Sequence, residues 1–426
     1  MRKGKEMSES DTALPNIPPG AIRAIFSLPV IVAALGYFVD IYDLVLFSIV
    51  RVPSLKALGL TGRDLVDQGV FLLNMQMIGM LLGGILWGIL GDRKGRLKIM
   101  FGSIFIYSIA NFLNGMVDSI GSYAVLRFIA GVGLAGELGA GITLVSEVLH
   151  KRVRGYGTMI VASVGVSGAI LANVVARNFD WRKAFFIGGA LGICLLLLRF
   201  GVMESGMFKS MKEQSMVSKG NFLSLFTSRD RFARFLHAIL IGLPSWFVVG
   251  VLITFSPEFA KMLGVVGTVS AGNAVMYCYL GLVAGDMVSG MLSQILKSRK
   301  KVVLLFLIMT VLAVAIYFMA SGVSAANFYL ICGLLGFGIG YWAIFVTIAA
   351  EQFGTNLRAT VATSVPNFVR GMTVPITTLF LLMRNQFGLQ QGAIIVGCLT
   401  LGIALFSLWH LQETFDKDLD YFEEFL

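Results

Sequence analysis

Charge is what this chain of 426 residues has least of: Asp, Glu, Lys and Arg together make up 14% of it, where soluble domains carry about a quarter. Hydrophobic residues reach 57%, with a mean hydropathy of +0.82. A chain so poor in charge and so rich in apolar side chains needs hydrocarbon as its solvent. Cysteine and histidine are nearly absent. Cys194, Cys278, Cys332 and Cys398 stand singly inside apolar runs, which excludes a disulfide framework and any spaced thiolate metal site. His150, His237 and His410 are the only imidazoles, and no nucleophile or metal constellation surrounds them. The glycine-rich stretches lack a preceding strand and a following Gly-Lys-Ser, so they are not phosphate loops. An ATP-driven machine and a metal or cofactor enzyme are therefore disfavoured. The net charge of +10 does not indicate nucleic acid, because the basic residues sit in short loops between apolar runs.

What is present is a series of long apolar runs. They predict membrane spans near 25–50, 69–91, 98–117, 122–148, 155–176, 183–203, 233–256, 269–296, 301–321, 325–352, 359–384 and 388–411. Runs of about 20 residues suit a helix across a 30 Å core, and lipid requires every backbone group to be paired internally. The expected fold is thus an all-α polytopic membrane protein with twelve transmembrane helices. Residues 1–24 read as a tail without the apolar core of a signal peptide, which leaves the first span as the insertion signal. If both termini face the cytoplasm, 23 Lys and Arg fall on that side and eight on the other, the asymmetry of the positive-inside rule. Residues 204–232 form a polar linker between six-span bundles at 25–203 and 233–411. Residues 412–426 form an acidic tail expected to be solvated and loosely ordered.

The halves repeat each other. Glu147 precedes Arg154-Gly155 as Glu351 precedes Arg358-Ala359, 204 positions later. Gly84, Gly88 and Asp92 are echoed by Asp286, Gly290 and Gln294, 202 positions later. Parallel six-span repeats are a transporter plan in which substrate sits between the halves near the midplane. An ionisable group inside a span costs roughly 2.5–3.5 kcal/mol, so each needs a partner, a cavity or a task. Asp40 and Asp43 are three apart and share a helix face. A carboxylate held from water beside another is suited to taking a proton from one side and releasing it on the other. Glu137 lies in a glycine-rich stretch and is a candidate for coupling, or for pairing with an arginine. Arg370 lies roughly 11 residues, or about 17 Å, into its span. There a guanidinium can hold a carboxylate bidentately or neutralise Asp40 or Glu137. Asn367, Tyr341, Trp342, Trp246 and Asn273 are candidate cavity-lining residues. Asp286 reads as a packing or gate residue.

Gly88-Ile89-Leu90-Gly91-Asp92-Arg93-Lys94-Gly95-Arg96 resembles the loop signature of the major facilitator superfamily, and Arg127-Phe128-Ile129-Ala130-Gly131-Val132-Gly133 resembles its fourth-helix signature. The Glu-x6-Arg-Gly at 147–155 is similar to that of sugar and organic-ion porters. Asp40-Ile41-Tyr42-Asp43 resembles the acidic pair of proton-linked metabolite, aromatic-acid, sialic-acid and phosphate symporters. The stretch ending in Glu137, and Glu204-Ser205-Gly206, resemble parts of phosphate:proton symporters. The sequence departs from these patterns at Gln294, where the second loop copy would carry an acid, and at Ile41-Tyr42, where aromatic-acid porters have Gly-x.

The resemblance implies two pseudo-symmetric six-helix bundles in a bacterial inner membrane. It implies proton-coupled uptake of a small anionic or zwitterionic metabolite, preferably a carboxylate, by a monomer without cofactor. Asp40, Asp43, Glu137 and Arg127 would couple protons. A gate on the cytoplasmic face would comprise Asp92, Arg93, Gly95 and Arg96 with the pairs Glu147–Arg154 and Glu351–Arg358. A proton-antiporting exporter and a transport-dead sensor remain open alternatives.

Overall fold

Residues 27–94, 96–137, 161, 164–204, 222–415 and 423 are described here from a computed structural model. The first half comprises α1 (Leu28–Ala57), α2 (Asp64–Lys94), α3 (Arg96–Asn114), α4 (Ile120–Leu134), α5 (Gly168–Asn178) and α6 (Trp181–Glu204). A 3₁₀ turn (Phe222–Phe226) leads to α7 (Arg229–Leu240), α8 (Leu243–Phe247), a π turn (Val248–Ile253) and α9 (Ser256–Met262). Then follow α10 (Ala271–Ile295), α11 (Arg299–Met319), α12 (Ala325–Gly338) and α13 (Trp342–Glu351). The chain closes with α14 (Thr355–Gly371), α15 (Thr373–Phe387) and α16 (Leu389–His410). Every predicted span is occupied by at least one of these helices, and no strand forms among the described residues.

Nine helical stretches among the described residues are long and apolar enough to cross a membrane. Their outer faces carry bare apolar side chains: Leu197 is 65% exposed, Ile295 70% and Trp409 85%. Water would penalise such a surface, whereas hydrocarbon accepts it.

The repeat seen in the sequence recurs in the packing. A β-carbon at Gly83 of α2 would stand 2.6 Å from the Val132 carbonyl oxygen of α4, and one at Gly285 of α10 would stand 2.5 Å from that of Phe337 in α12. Gly79 meets Phe128 as Gly281 meets Gly333, and Gly131 meets Gln76 as Gly336 meets Cys278. The α2 members lie 202 positions before their α10 counterparts, and the α4 members 205 before those of α12. Both crossings thus bring backbone onto backbone, which only glycine permits.

The second half departs from six straight spans. Its seventh span breaks at Ile241-Gly242, just ahead of Pro244 at the start of α8, since proline supplies no N–H and its ring crowds the preceding turn. The tenth span breaks at Ile339–Tyr341 and the eleventh at Met372. These breaks meet. The Tyr341 hydroxyl donates to the Ile241 carbonyl at 2.9 Å, satisfying an orphan acceptor at a helix end. A β-carbon at Gly242 would lie 2.8 Å from a methyl of Val369. Asp286, read as a packing or gate residue, caps α13 by accepting the Ala343 N–H at 3.0 Å.

The glycine crossings set a test of the fold. Gly131→Leu is expected to destabilise the protein by about 1–3 kcal/mol or prevent its insertion, as overpacking does. Gly402→Leu, at a glycine with open space around it, should leave the melting temperature in detergent unchanged. Equal melting of the two variants would refute the backbone contact.

Candidate functional site

The break in the eleventh span places Arg370 at the last turn of α14, 1% exposed, facing α1 of the other half. There its Nη2 lies 3.7 Å from Oδ2 of the fully buried Asp40. That separation is within reach of Coulomb attraction but too long for a hydrogen bond. Both Asp40 oxygens, and Nε and Nη1 of Arg370, have no hydrogen-bond partner among the described residues. Tyr37, one turn from Asp40 on α1, and Tyr279 of α10 border the pair. A cation and an anion from opposite halves thus face each other with their hydrogen-bonding capacity unspent.

Glu137 is paired with an arginine. It is held bidentately by Arg199 of α6, with Nη1 to Oε2 at 3.0 Å and a second bond from Nη2 to Oε1. Both groups are buried, and the pair packs on Gly36 of α1, where any β-carbon would collide with it. Gly36 and Asp40 are four apart and share a face of α1. Asp43 points instead into the first half, towards Arg127 of α4 and Asn111 of α3. Arg127 donates to the Gln76 amide oxygen and lies over the rings of Phe47 and Phe185, 5.1 and 5.7 Å away. Asp40 and Asp43 therefore serve separate surroundings despite their shared face.

The cavity-lining candidates divide. Trp246, in α8, is 6% exposed, and Trp342 is half-buried against Phe345 at 5.1 Å. The other three make contacts of their own. The Tyr341 hydroxyl is spent on the break in the seventh span. Asn367 bridges the halves by donating to the Ala135 carbonyl at 2.9 Å. Asn273 sits in the first turn of α10, away from mid-span, and accepts from Asn173 of α5 at 3.0 Å.

That last contact belongs to a polar seam which sequence reasoning missed. At the face opposite the chain ends, the fully buried Arg51 of α1 reaches across the halves to Glu258 of α9 at 2.6 Å. It also donates to the Thr254 carbonyl at 3.3 Å and lies 4.4 Å from the Phe255 ring centre. Arg384 of α15 pairs with Asp67 of α2 at 2.6 Å. Thr254 donates to Ser48, and Thr377 to Asn74. The signal in the sequence was small: Arg51 follows an apolar run without a break, and its sum with other loop charges concealed it.

At the face bearing the chain ends, Asp92, Arg93 and Arg96 lie on α2 and α3, but their side chains, with Gly95, Glu147 and Arg154, lie outside the described residues. Glu351 pairs with Arg299 through two bonds of 3.0 and 3.1 Å, and Arg358 stands half-buried in the first turn of α14. Thr414 of the tail adds a bond to Glu351 at 2.7 Å. The described residues of the tail make further contacts. Glu423 holds Arg234 at 2.8 Å, and Glu413 accepts from the Ser298 hydroxyl and the N–H groups of Arg299 and Lys300 at the start of α11.

Two bundles joined by a buried ion pair, with a polar seam at one face, fit a membrane transporter. The chain belongs to the Major Facilitator Superfamily, whose family model matches residues 33–376; it is a multi-pass membrane transporter and not an enzyme. It is 26% identical over 391 residues to the sialic acid transporter NanX of Escherichia coli, covering 89% of this chain and 91% of that one. It is 25% identical over 431 residues to the niacin transporter NiaP of Acinetobacter baylyi, covering 91% and 94%. With the gentisate transporter of Corynebacterium glutamicum it shares 25% over 397 residues, covering 88% and 86%. The fold is that of the proton:xylose symporter XylE bound to 6-bromo-6-deoxy-D-glucose, with a TM-score of 0.67, 18% identity and coverage of 94% and 98%.

Arg199→Met should strand the Glu137 carboxylate and cost about 3–5 kcal/mol, read as a lower melting temperature in detergent. Glu137→Met combined with Arg199→Met should recover most of that loss, and a double variant no more stable than the single one would contradict the pairing. The tail responds to acid. Burial acts to raise the Glu413 carboxyl, but bonds from Ser298 and the Arg299, Phe415 and Lys300 N–H groups outweigh it and hold the group below its ordinary 4.5. A carboxyl lowered by folding stabilises the protein above its ordinary value and loses that contribution as pH falls through the lowered one. Proteolytic release of the tail should therefore rise below about pH 4.5, and Glu413→Gln should release it at neutral pH.

Proposed function

We propose that the chain is a proton-coupled uptake carrier for a small carboxylate-bearing metabolite. In this reading it acts as a monomer in a bacterial inner membrane, with the face bearing the chain ends in the cytoplasm. The single observation that carries the reading is the Asp40–Arg370 pair, whose partners attract each other across the halves while leaving Arg370 free to donate. A substrate carboxylate can take Arg370 bidentately. Asp40 then loses its counter-charge and becomes the group best placed to bind the accompanying proton. In the empty carrier the pair restores neutrality and lets the halves rock back unloaded. Tyr37 and Tyr279, close enough to the pair to interact with both charges, suit a planar or ring-bearing substrate, and the names of the niacin, gentisate and sialic acid transporters each denote an acid.

Access alternates when the two faces open in turn. The Arg51–Glu258 and Asp67–Arg384 pairs hold the outer face shut in the state described. The cytoplasmic set of Asp92, Arg93, Gly95 and Arg96, with Glu147–Arg154 and Glu351 on Arg299, would hold the inner face in the other state. Such contacts gate only by their difference in free energy between the states. Glu137, fixed by Arg199, acts as a strut behind α1, while Asp43 and Arg127 supply a second acid–base locus. Running in reverse, the same parts would export, and the direction of an imposed gradient separates the two.

The test is uptake into proteoliposomes under an imposed pH gradient, across aromatic acids, sugar acids, amino acids, sugars and phosphate. Asp40→Asn should abolish accumulation against a gradient while sparing exchange. Arg370→Lys should raise KM for a carboxylate substrate by roughly tenfold or more, as the loss of a bidentate contact implies. Normal concentrative uptake by Asp40→Asn would end the coupling assignment, and an unchanged KM in Arg370→Lys the substrate assignment.

A further inference from the structure

The peripheral helix α3 has a polar side that the cycle above leaves unused. Tyr107, Ser108, Asn111 and Asn114 are fully buried. The spacing 107, 111, 114 puts them on one helix face, with 108 at its edge. That face looks into the first half. The positions of Gly192 and Gly188 on α6 adjoin Ser108 with Tyr107, and Asp43 with Tyr42, respectively. Asn111 faces Asp43, which faces Arg127, which is bonded to Gln76. Side chains of α1, α2, α3 and α4 therefore converge inside one bundle, to one side of the Arg370 site.

Their polar atoms are largely unspent. Beyond a loose approach of Asn111 to Asp43, no hydrogen-bond partner among the described residues reaches the oxygens of Asp43, Nε2 of Gln76, the Tyr107 and Ser108 hydroxyls, the amide atoms of Asn111 and Asn114, or Nε and Nη1 of Arg127. One such atom left dry costs about 1–3 kcal/mol. A cluster of this size in a dry interior would be prohibitive, because buried polar groups are almost always satisfied. The group mixes donors and acceptors with one charge of each sign. Arg127 disfavours a bound cation and Asp43 a bound anion. Water, which both donates and accepts, suits every member of the set.

We propose that the first half encloses a hydrated chamber between α1, α2, α3 and α4 that delivers protons to Asp43 by a route separate from the substrate path. A hydronium ion in the chamber gives one proton to an Asp43 carboxylate oxygen, leaving a neutral carboxyl and water; release reverses the step. The charged and titratable groups around Asp43 are Asp40 and Tyr42 on α1, Tyr107 on α3 and Arg127 on α4, with Glu137 and Arg199 beyond Tyr107. From α2 comes the neutral Gln76. The chamber rests on the proton-coupled reading for its use, but its water can be tested alone.

Hydroxyl-radical footprinting of the wild-type carrier in proteoliposomes labels side chains beside buried water. Tyr107 should be labelled although it has no exposed surface. The double substitution Asn111→Leu and Asn114→Leu should remove that label. It should also lower the accumulation ratio under a pH gradient to about one, the value for a carrier uncoupled from its driving ion, while counterflow at equal pH continues. An unlabelled Tyr107 in the wild type overturns the chamber whether or not the variant folds, as does a variant that accumulates substrate normally. Absence of gradient-driven uptake by the wild type would instead defeat the coupling reading and leave the footprint to decide the chamber.

Discussion

A charge held in hydrocarbon must meet its opposite or be neutralised, and much of this molecule is arranged around that demand. Arg370 meets Asp40, Arg199 meets Glu137, Arg51 meets Glu258 and Arg384 meets Asp67. The pairs differ in kind. Glu137 and Arg199 belong to one half and close two hydrogen bonds, so they stay together whatever the halves do. The other three pairs join one half to the other and can part when the halves separate. Of these, Asp40–Arg370 alone lacks a hydrogen bond, which makes it the easiest for a third charged group to divide.

The fold was largely legible in the residues because its determinants are local in sequence. Apolar run length locates spans, and Gly84, Gly88 and Asp92 against Asp286, Gly290 and Gln294 carry the repeat. Asp40 and Arg370 were legible for a similar reason, since a lone ion inside an apolar run announces a cost. Partners were not. Glu137 and Arg199 are 62 positions apart, and nothing in either segment specifies the other. The breaks at Ile241, Ile339 and Met372 were hidden because apolar composition continues through them, leaving only Pro244 and the glycines as signs. Arg51 was taken for a loop residue because α1 continues through Pro53 to Ala57.

The halves share a pattern of crossings yet divide their labour. In the first, the polar residues lie inside the bundle, between α1, α3 and α4. In the second, irregular backbone gathers at mid-span, and helix ends are covered by Tyr341 and Asp286. Non-helical backbone at membrane depth is tolerated where protein surrounds it, and the breaks near Arg370 are buried in that way. A common ancestral plan thus carries acid–base groups on one side and adaptable backbone on the other.

The glycine crossings bear on motion. At the points where α2 lies on α4 and α10 on α12 with backbone touching backbone, no side chain intervenes that could change rotamer and let one helix slide past its neighbour. Each crossing therefore favours the two helices of a pair moving as one body. A displacement of α2 at Asp67 would then be felt near Gly84, where α2 meets Asn367 of the opposite half, without any relay of rearranging side chains between them.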